Sequence, residues 1–347
     1  MKSKARECSL DEGHLHEVRF RVYVSAETAV NVSISAFSLS SWGRLTRAQH
    51  IADYGLLDWR LRRLIVNADD FGLTRGVNRA IVEAHERGIV TSSTLMANGP
   101  AFDDAVQLTQ SVPQLPVGCH VLLVDGEPVL DEKRIPSLIG KRDRQFGESL
   151  TGFAWRAIRK QLDADQIEAE VSAQIRKLQS AGIVVSHIDA HKHTHLFPGV
   201  LKPMLQAARA CGVRAVRNPF GPLRFSMLAE RPGLWKQFSK VKILQTLAGK
   251  FRQAVAKAGA VTTDGTVGVV ATGSLDERLF RHIVETLPEG TWELVCHPGY
   301  NDADLHKIRT RLYESREIEL QLLTSPKSRE VLASSGVQLI SYRDLAA

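Results

Sequence analysis

The sequence lacks an uninterrupted apolar run of about 18 residues or more, which a membrane-spanning helix requires. Its start, MKSKARECSLDEGHLHEVRF, has no apolar stretch of the kind found in secretory signals. The 347 residues contain four cysteines, and none of them forms a CxxC pair. These absences argue against a membrane-spanning protein, a disulfide framework and a thiolate zinc site. We therefore expect a cytoplasmic protein with reduced cysteines.

The chain has 347 residues, of which 44% are hydrophobic. This is enough to form the core of one large catalytic domain. The net charge of +7 fits an anionic partner, but such a balance concerns association rather than reaction. No motif indicates a nucleic-acid partner. A homodimer is compatible with this composition, which by itself does not set the oligomeric state.

From about residue 61 onward, β-rich runs alternate with helical patterns. The predicted strands are 63–67, 91–96, 117–124, 183–188, 213–217, 267–270, 292–297 and 337–340. Between them, apolar residues recur at helical spacing, for example within 77–84 and 167–178. This alternation is typical of βαβ units and predicts an α/β fold, a barrel-like (β/α) domain spanning residues 61–347.

Two segments fall outside this alternation. Residues 1–60 show weak β-type alternation without turn residues, and we expect either a poorly ordered N-terminal extension or residues added by a misplaced gene start. Within a helical insertion at about 220–266, residues 234–260 carry six cations and no acidic residue, interleaved with large apolar side chains. This pattern fits a helix in peripheral contact with the inner membrane surface, or a basic helix that covers the barrel.

Asp69 and Asp70 follow the strand at 63–67, at the end where α/β enzymes place their sites. Both carboxylates reach one site only if the chain turns there, which Gly72 allows. A cation would relieve their repulsion, take one carboxylate as a ligand and leave the other free to accept a proton. The alternative is that Asp70 or Thr74 caps the following helix.

Histidines follow two further strands. His120 interrupts the apolar run 117–124, where a polar side chain needs a partner. Four more histidines lie within nine positions, namely His187, His191, His193 and His195. Packing alone does not explain so many histidines at the end of one strand. Two imidazoles and one carboxylate, with open positions for water, recur in catalytic metal sites. The remaining histidines would then support the ligands or contact substrate, unless the tract binds metal only adventitiously.

His297 ends a third strand, in the sequence CHPGY. Its near-neutral pKa suits a general acid that protonates a leaving amine, although a histidine bonded to its own turn is an alternative. Asn67, Asn98 and Arg217 also lie at predicted strand ends, where they could donate to substrate or orient a carboxylate.

Five blocks occur in a fixed order, namely LIVNADDFGLTRGVNRAI, GIVTSSTLMANGPAFDDAV, VGCHVLLVDGEPVL, SHIDAHKHTHLFP and ELVCHPGY. Together they resemble the YdjC-like carbohydrate deacetylases over roughly residues 62–344. The stretches LVDGEPVL and AVRNP, followed by the long basic insertion, look most like the hopanoid-biosynthesis-associated HpnK branch of that family.

The resemblance implies a distorted (β/α) barrel of the polysaccharide-deacetylase type and a divalent metal, usually taken as Mg²⁺, with Zn²⁺ as the alternative. Carried over by motif, Asp70, His120 and His191 would be its ligands. Asp69 would be the general base and His297 the candidate acid. For the HpnK branch the implied substrate is an N-acetylglucosaminyl hopanoid.

The resulting hypothesis is hydrolysis of an acetamide, in which Asp69 takes a proton from a cation-activated water and His297 protonates the amine. A chito-oligosaccharide is the alternative substrate. A phosphoesterase with the same ligands is a rival enzyme, and a lipid-surface or metal-storage protein is a non-catalytic rival. Residues 70–72 spell the DFG motif of kinases, but neither an H-R-D loop nor a glycine-rich loop accompanies it.

Overall fold

The computed structural model describes residues 17–25, 28–35, 61–140, 145–147, 149–222 and 226–346. The chain divides into two compact units, Met1–Asp58 and Trp59–Ala347. In the first unit, β1 (Glu17–Ser25) and β2 (Thr28–Ser35) pair as an antiparallel hairpin. The weak alternation seen in the sequence therefore contains one regular pair of strands. The rest of the N-terminal extension, for which we expect poor order, lies outside the described residues.

The second unit is built on a curled sheet, to which the described residues contribute eight parallel strands. They are β3 (Arg62–Phe71), β4 (Ser92–Leu95), β5 (Val117–Val121), β6 (Val185–Ala190), β7 (Ala215–Val216), β8 (Gly265–Val267), β9 (Gly290–Cys296) and β10 (Val337–Leu339). Their order is β7-β6-β5-β4-β3-β9-β8, and β10 pairs with the start of β3. A single bridge joins Ala215 to Val261, just before β8, so the sheet curls almost to closure. This confirms the predicted distorted (β/α) barrel.

Helices follow most of the strands in the described part of the chain. They are α1 (Arg75–Glu86), α2 (Phe102–Ser111), α3 (Leu150–Ile158), α4 (Ala164–Ser180), α5 (Leu201–Ala210), α6 (Ser226–Glu230), α7 (Trp235–Leu244), α8 (Ala248–Lys257), α9 (Glu277–Glu285), α10 (Glu314–Thr324), α11 (Pro326–Ser334) and α12 (Tyr342–Ala346). In α1 the apolar residues at helical spacing, Val77, Ala80, Ile81 and Ala84, are all buried, as their periodicity predicts. None of the described helices combines the length and apolar character needed to cross a bilayer.

The predicted basic insertion corresponds to α6, α7 and α8, which lie between β7 and β8. Phe238 and Phe251 are buried and anchor α7 and α8, whereas Trp235 keeps 58% of its surface exposed. One face of the insertion thus packs against the barrel domain. Among its described cations, Lys236, Lys242, Lys250, Arg252 and Lys257 are exposed.

The C-terminal helix fills the interior of the curled sheet near the amino ends of its strands. Tyr342 is fully buried and forms a small inner core with Ile65 and Ala215. Its hydroxyl donates to Glu293 of β9 at 2.6 Å, and its backbone N–H donates to Ser92 at the start of β4. Polar side chains lie at the opposite end of the sheet, where the carboxyl ends of the strands meet.

Candidate metal centre

The end of β3 brings two adjacent carboxylates into one site. Pairing with β4 is irregular over residues 68–71, and Asp70 has a φ of 68°. This left-handed conformation costs a non-glycine residue about 1 kcal/mol or more, so surrounding contacts must hold it. Because the chain turns at Asp70 itself, both carboxylates lie beside His120 instead of on opposite faces. Thr74, and not Asp70, caps α1.

The three predicted ligands lie close to one another. Oδ1 of Asp70 lies 3.5 Å from Nε2 of His120 and 3.4 Å from Nδ1 of His191, and the two ring nitrogens are 3.2 Å apart. Ligands about 2.0–2.2 Å from a tetrahedrally coordinated ion lie about 3.3–3.6 Å from one another. The spacing of the three atoms therefore fits a shared cation.

The orientation of His120 is set by Asp189, which lies opposite it in the register of β5 and β6. A carboxylate only accepts, so Nδ1 of His120 donates to Oδ1 of Asp189 at 2.8 Å, and Nε2 is the ring atom that is left to bind a cation. Thr94 donates to the other oxygen of Asp189 at 3.2 Å. Among the described residues no hydrogen-bond partner reaches Oδ1 of Asp70, which leaves this buried oxygen to a cation.

A second group, Asp69, His120 and Asp189, is also close enough to share an ion. Its oxygens are already engaged, because Arg217 donates to both oxygens of Asp69 at 2.6 and 2.7 Å and lies 2.5 Å from Asp189. The first group fits an ion better, because no described residue donates a hydrogen bond to Oδ1 of Asp70.

Arg217 is fully buried among three carboxylates, those of Asp69, Asp189 and Glu293. A buried guanidinium is stable only when it is paired in this way. Asn67 adds a donor to Oδ1 of Asp69 at 2.9 Å. Burial raises the pKa of Asp69, but Arg217 outweighs it and holds this pKa below its usual value. Arg217 and Asn67 thus orient an ionised Asp69, which is one of the two roles that the sequence suggested for them.

The carboxylates around His120 attract positive charge to its ring. Burial alone lowers the pKa of His120, yet Asp189, Asp69 and Asp70 together raise it to about 9. Without a cation, Nε2 therefore carries a proton near pH 7. The same buried negative charge favours a metal cation, which would take the place of that proton.

His297 lies on the side of Asp69, with Nε2 4.0 Å from Oδ2 of that residue. Burial lowers the pKa of His297 to about 4, although Asp69 and Asp70 oppose this change. The imidazole is therefore neutral at pH 7 in the resting site. To serve as the predicted acid, His297 would first have to accept a proton.

Helix α10 buries two charged side chains against this site. Arg316 donates to Oδ2 of Asp70 at 2.5 Å, and Glu319 accepts the backbone N–H of His297 at 2.6 Å. Both are 1% exposed, whereas Ile318 on the same helix is 49% exposed. Burial raises the pKa of Asp70, but Arg316 and then His191 hold it well below its usual value. Sequence reasoning missed Arg316 and Glu319, since charged residues on a helix are normally taken as its solvent face.

Two of the weaker candidates lie away from the three ligand atoms. His187 precedes Asp189 on β6, and its ring stacks on Tyr342 with 3.5 Å between centroids. Asn98 donates to the backbone oxygen of Glu127, outside the buried cluster.

His193 and His195 lie in the short 3-10 segment His191–Leu196 that follows β6. Lys192 and His193 both adopt left-handed conformations, with φ of 52° and 53°. The ring of His195 is buried 6.1 Å from that of Phe251 on α8. Burial lowers the pKa of His193 to about 4 and that of His195 to about 3, so both rings are neutral. Their contact with substrate stays a prediction.

A curled parallel sheet with two imidazoles and one carboxylate at its carboxyl end defines an α/β-barrel protein with a candidate metal centre. Residues 63–334 match the family model of the YdjC-like proteins, and the chain belongs to this family.

Two relatives and one solved structure are similar to this chain over most of its length. The carbohydrate deacetylase of Geobacillus stearothermophilus is 33% identical over 286 residues, which cover 82% of this chain and 98% of the relative. The chitooligosaccharide deacetylase of Proteus mirabilis is 31% identical over 289 residues, covering 81% and 98%. A crystal structure from Enterococcus faecalis V583, of a protein assigned to cellobiose-phosphate cleavage, superposes with a TM-score of 0.64 and 25% identity, covering 82% and 99%.

We expect His120→Ala and His191→Ala each to weaken binding of a divalent cation roughly tenfold or more, because two protein ligands hold a cation poorly. Elemental analysis of the purified variants and titration with Zn²⁺ and Mn²⁺ measure this. His193→Ala, in the same histidine cluster, should retain wild-type metal content. Stoichiometric metal in a His120→Ala, His191→Ala double variant would place the ligands elsewhere.

Glu319 makes stability depend on pH. Burial raises its pKa to about 7, although the N–H of His297 and the charge of Arg316 lower it. Its protonated form therefore stabilises the folded state below about pH 4.5, and this contribution is lost as pH rises through 7. Glu319→Gln imitates the neutral acid, so its melting temperature relative to wild type should rise by roughly 5 °C between pH 5 and 8.

Differential scanning calorimetry at several pH values measures this difference. Glu317→Gln, exposed on the same helix, is the matched control and should show no such trend. A difference between Glu319→Gln and wild type that is constant with pH would mean that Glu319 does not titrate in this range.

Proposed function

We propose that this protein is a metal-dependent deacetylase that hydrolyses the acetamide of an N-acetylated sugar. One observation carries the proposal. An oxygen of Asp70 that has no hydrogen-bond partner among the described residues faces two imidazoles, directly beside an oriented Asp69 and a neutral His297. The names of the relatives, carbohydrate deacetylase and chitooligosaccharide deacetylase, support the same class of reaction.

We expect the cation to be held by Asp70, His120 and His191. The family resemblance favours Mg²⁺, which prefers oxygen ligands in an octahedron, about 3.0 Å from one another. Two nitrogen donors and one oxygen donor suit Zn²⁺ better, and the separations of 3.2–3.5 Å are nearer to those of a tetrahedral site. We therefore propose Zn²⁺ as the first metal to test and Mg²⁺ as the second.

When bound, the cation lowers the pKa of a water molecule and polarises the acetyl carbonyl. Asp69, kept ionised by Arg217, accepts the proton of that water. His297 lies 4.0 Å from Asp69, so a proton gained by the site can reach its imidazole, which then donates to the leaving amine. Acetate and a free amino sugar are the products. Arg217 is fully buried, so it acts on Asp69 and does not touch the sugar.

Asp69→Asn should lower kcat for acetate release roughly 100-fold or more while metal content stays unchanged, since an amide does not accept the proton. An N-acetylglucosamine oligomer is the soluble substrate, and released acetate is measured. Asp103→Asn, exposed on α2, is the matched control. A kcat within about tenfold of wild type, or about 1.4 kcal/mol, would assign the base elsewhere. Phosphate release from a sugar phosphate, without acetate release, would favour the phosphoesterase.

We further propose that the sugar is carried by a lipid, as in the N-acetylglucosaminyl hopanoids of the HpnK branch. Two helices contact the segment that follows the ligand His191. Phe153 of α3 lies 5.8 Å from Phe197, and Phe251 of α8 lies 6.1 Å from His195, between ring centroids. Both helices therefore flank the metal side of the barrel.

The outer surfaces of these flanks suit an anionic lipid layer. Trp155 and Ile158 on α3 are 56% and 59% exposed, and Trp235 on α7 is 58% exposed. The exposed cations of the insertion include Lys236, Lys250, Arg252 and Lys257. Aromatic side chains at the headgroup level and surrounding cations are the features of a peripheral membrane contact. Such a contact would bring the site to a lipid-linked sugar.

Each surface cation contributes about 1 kcal/mol to attraction by anionic lipid, so Lys250→Glu with Arg252→Glu should weaken vesicle binding roughly thirtyfold or more. Flotation with phosphatidylglycerol vesicles at low salt measures binding. Turnover of the lipid-linked substrate should fall in parallel, while that of a soluble oligomer stays unchanged. Lys133→Glu with Arg134→Glu, exposed outside the insertion, is the control. If the variant with Lys250→Glu and Arg252→Glu binds vesicles as tightly as wild type, the insertion is an ordinary solvated surface.

A further inference from the structure

The two carboxylate oxygens of Asp70 face two different kinds of partner. Oδ2 accepts a hydrogen bond from Nη2 of Arg316 at 2.5 Å. Oδ1 points to the other two candidate ligands, 3.5 Å from His120 and 3.4 Å from His191. Within the described residues it has no hydrogen-bond partner. The carboxylate is therefore divided, with one oxygen held by the protein and one presented to the cation.

The side chain of Arg316 is itself fixed in place. It is 1% exposed, and its Nε donates to the backbone oxygen of Leu312 at 3.2 Å. The CHPGY turn lies against it, because a Cβ on Gly299 would stand only 2.9 Å from Cδ of Arg316. The N–H of Gly299 also donates to the backbone oxygen of Arg316 at 3.2 Å. The absence of a side chain at Gly299 makes room for the arginine.

The placement of Arg316 is unfavourable for simple cation affinity. A guanidinium that touches a ligand of the metal repels the metal's charge, and the ion pair neutralises part of the charge on Asp70. Its advantage lies in geometry, since a carboxylate binds a cation through either one or both of its oxygens. A catalytic centre with three protein ligands needs its remaining positions open to water and substrate.

We propose that Arg316 is a positioning residue that makes Asp70 a one-oxygen ligand and so keeps a coordination position open for the reaction. The inference rests on the proposed metal-dependent function. It also gives a reason for the left-handed conformation of Asp70, since Arg316 is one of the contacts that hold the residue at this turn.

Co²⁺ is the probe, because its visible absorption is strong with four ligands and becomes weaker as ligands are added. In Arg316→Gln the freed Oδ2 should join the cation, so the Co²⁺ bands should weaken although Co²⁺ still binds within about tenfold of wild type. At saturating Co²⁺, kcat should fall roughly 10–100-fold, with KM little changed. Arg316→Lys, which keeps one donor for Oδ2, should recover part of both signals. Arg311→Gln, exposed and close in sequence, is the matched control.

A wild-type Co²⁺ spectrum and kcat in Arg316→Gln would overturn the proposal. So would metal loss in proportion to activity, with unchanged activity per bound ion, because that pattern belongs to a merely structural ion pair. If Arg316→Gln does not fold, Gly299→Ala supplies the test, since its methyl group displaces the arginine and should weaken the Co²⁺ bands in the same way. If the wild-type protein releases no acetate, the proposed function fails, but the Co²⁺ spectra still decide the role of Arg316.

Discussion

The accumulation of buried negative charge at the end of β3 is the constraint on which the rest of the site depends. Asp69, Asp70, Asp189 and Glu293 are buried together, and their four carboxylates carry up to two more negative charges than the two nearby guanidiniums neutralise. Buried charge without a partner is strongly destabilising. The proposed divalent cation would supply the missing positive charge. The same imbalance keeps Arg217 and Arg316 in fixed positions on the two sides of the adjacent aspartates.

Much of this arrangement could be predicted because its signals are local in the sequence. Asp69 and Asp70 directly follow a buried strand, and His120 lies inside an apolar strand. Simple core packing explains neither placement. The (β/α) alternation then places all strand ends on one edge of the sheet. Even the turn was expected, although its source was only partly identified. Gly72 has a φ of 88°, as the predicted turn requires, but Asp70 has a positive φ as well, of 68°, and the sequence does not indicate that second left-handed residue.

The remainder could not be predicted, because it depends on long-range contacts that contradict local pattern. Arg316 lies 246 positions after Asp70, in a stretch whose alternating charges are typical of an exposed helix face. The structure inverts this pattern by burying Arg316 and Glu319 and exposing Ile318. The role of Asp189 could be predicted only in part. It lies within the histidine-rich block, but its role follows only from the strand register that places it opposite His120.

Helix α10 connects the two halves of the proposed chemistry. Through Arg316 it holds the ligand Asp70 on β3, and through Glu319 it holds the backbone of His297 after β9. The distance between the proposed cation and the imidazole proposed as the acid would thus be set by one helix rather than by two independent loops. The helix is docked by buried Leu323, whose backbone oxygen accepts the N–H of Ile89 at 3.1 Å. A change that loosens α10 would move Asp70 and His297 together. The stability of this helix and the geometry of the site are therefore coupled.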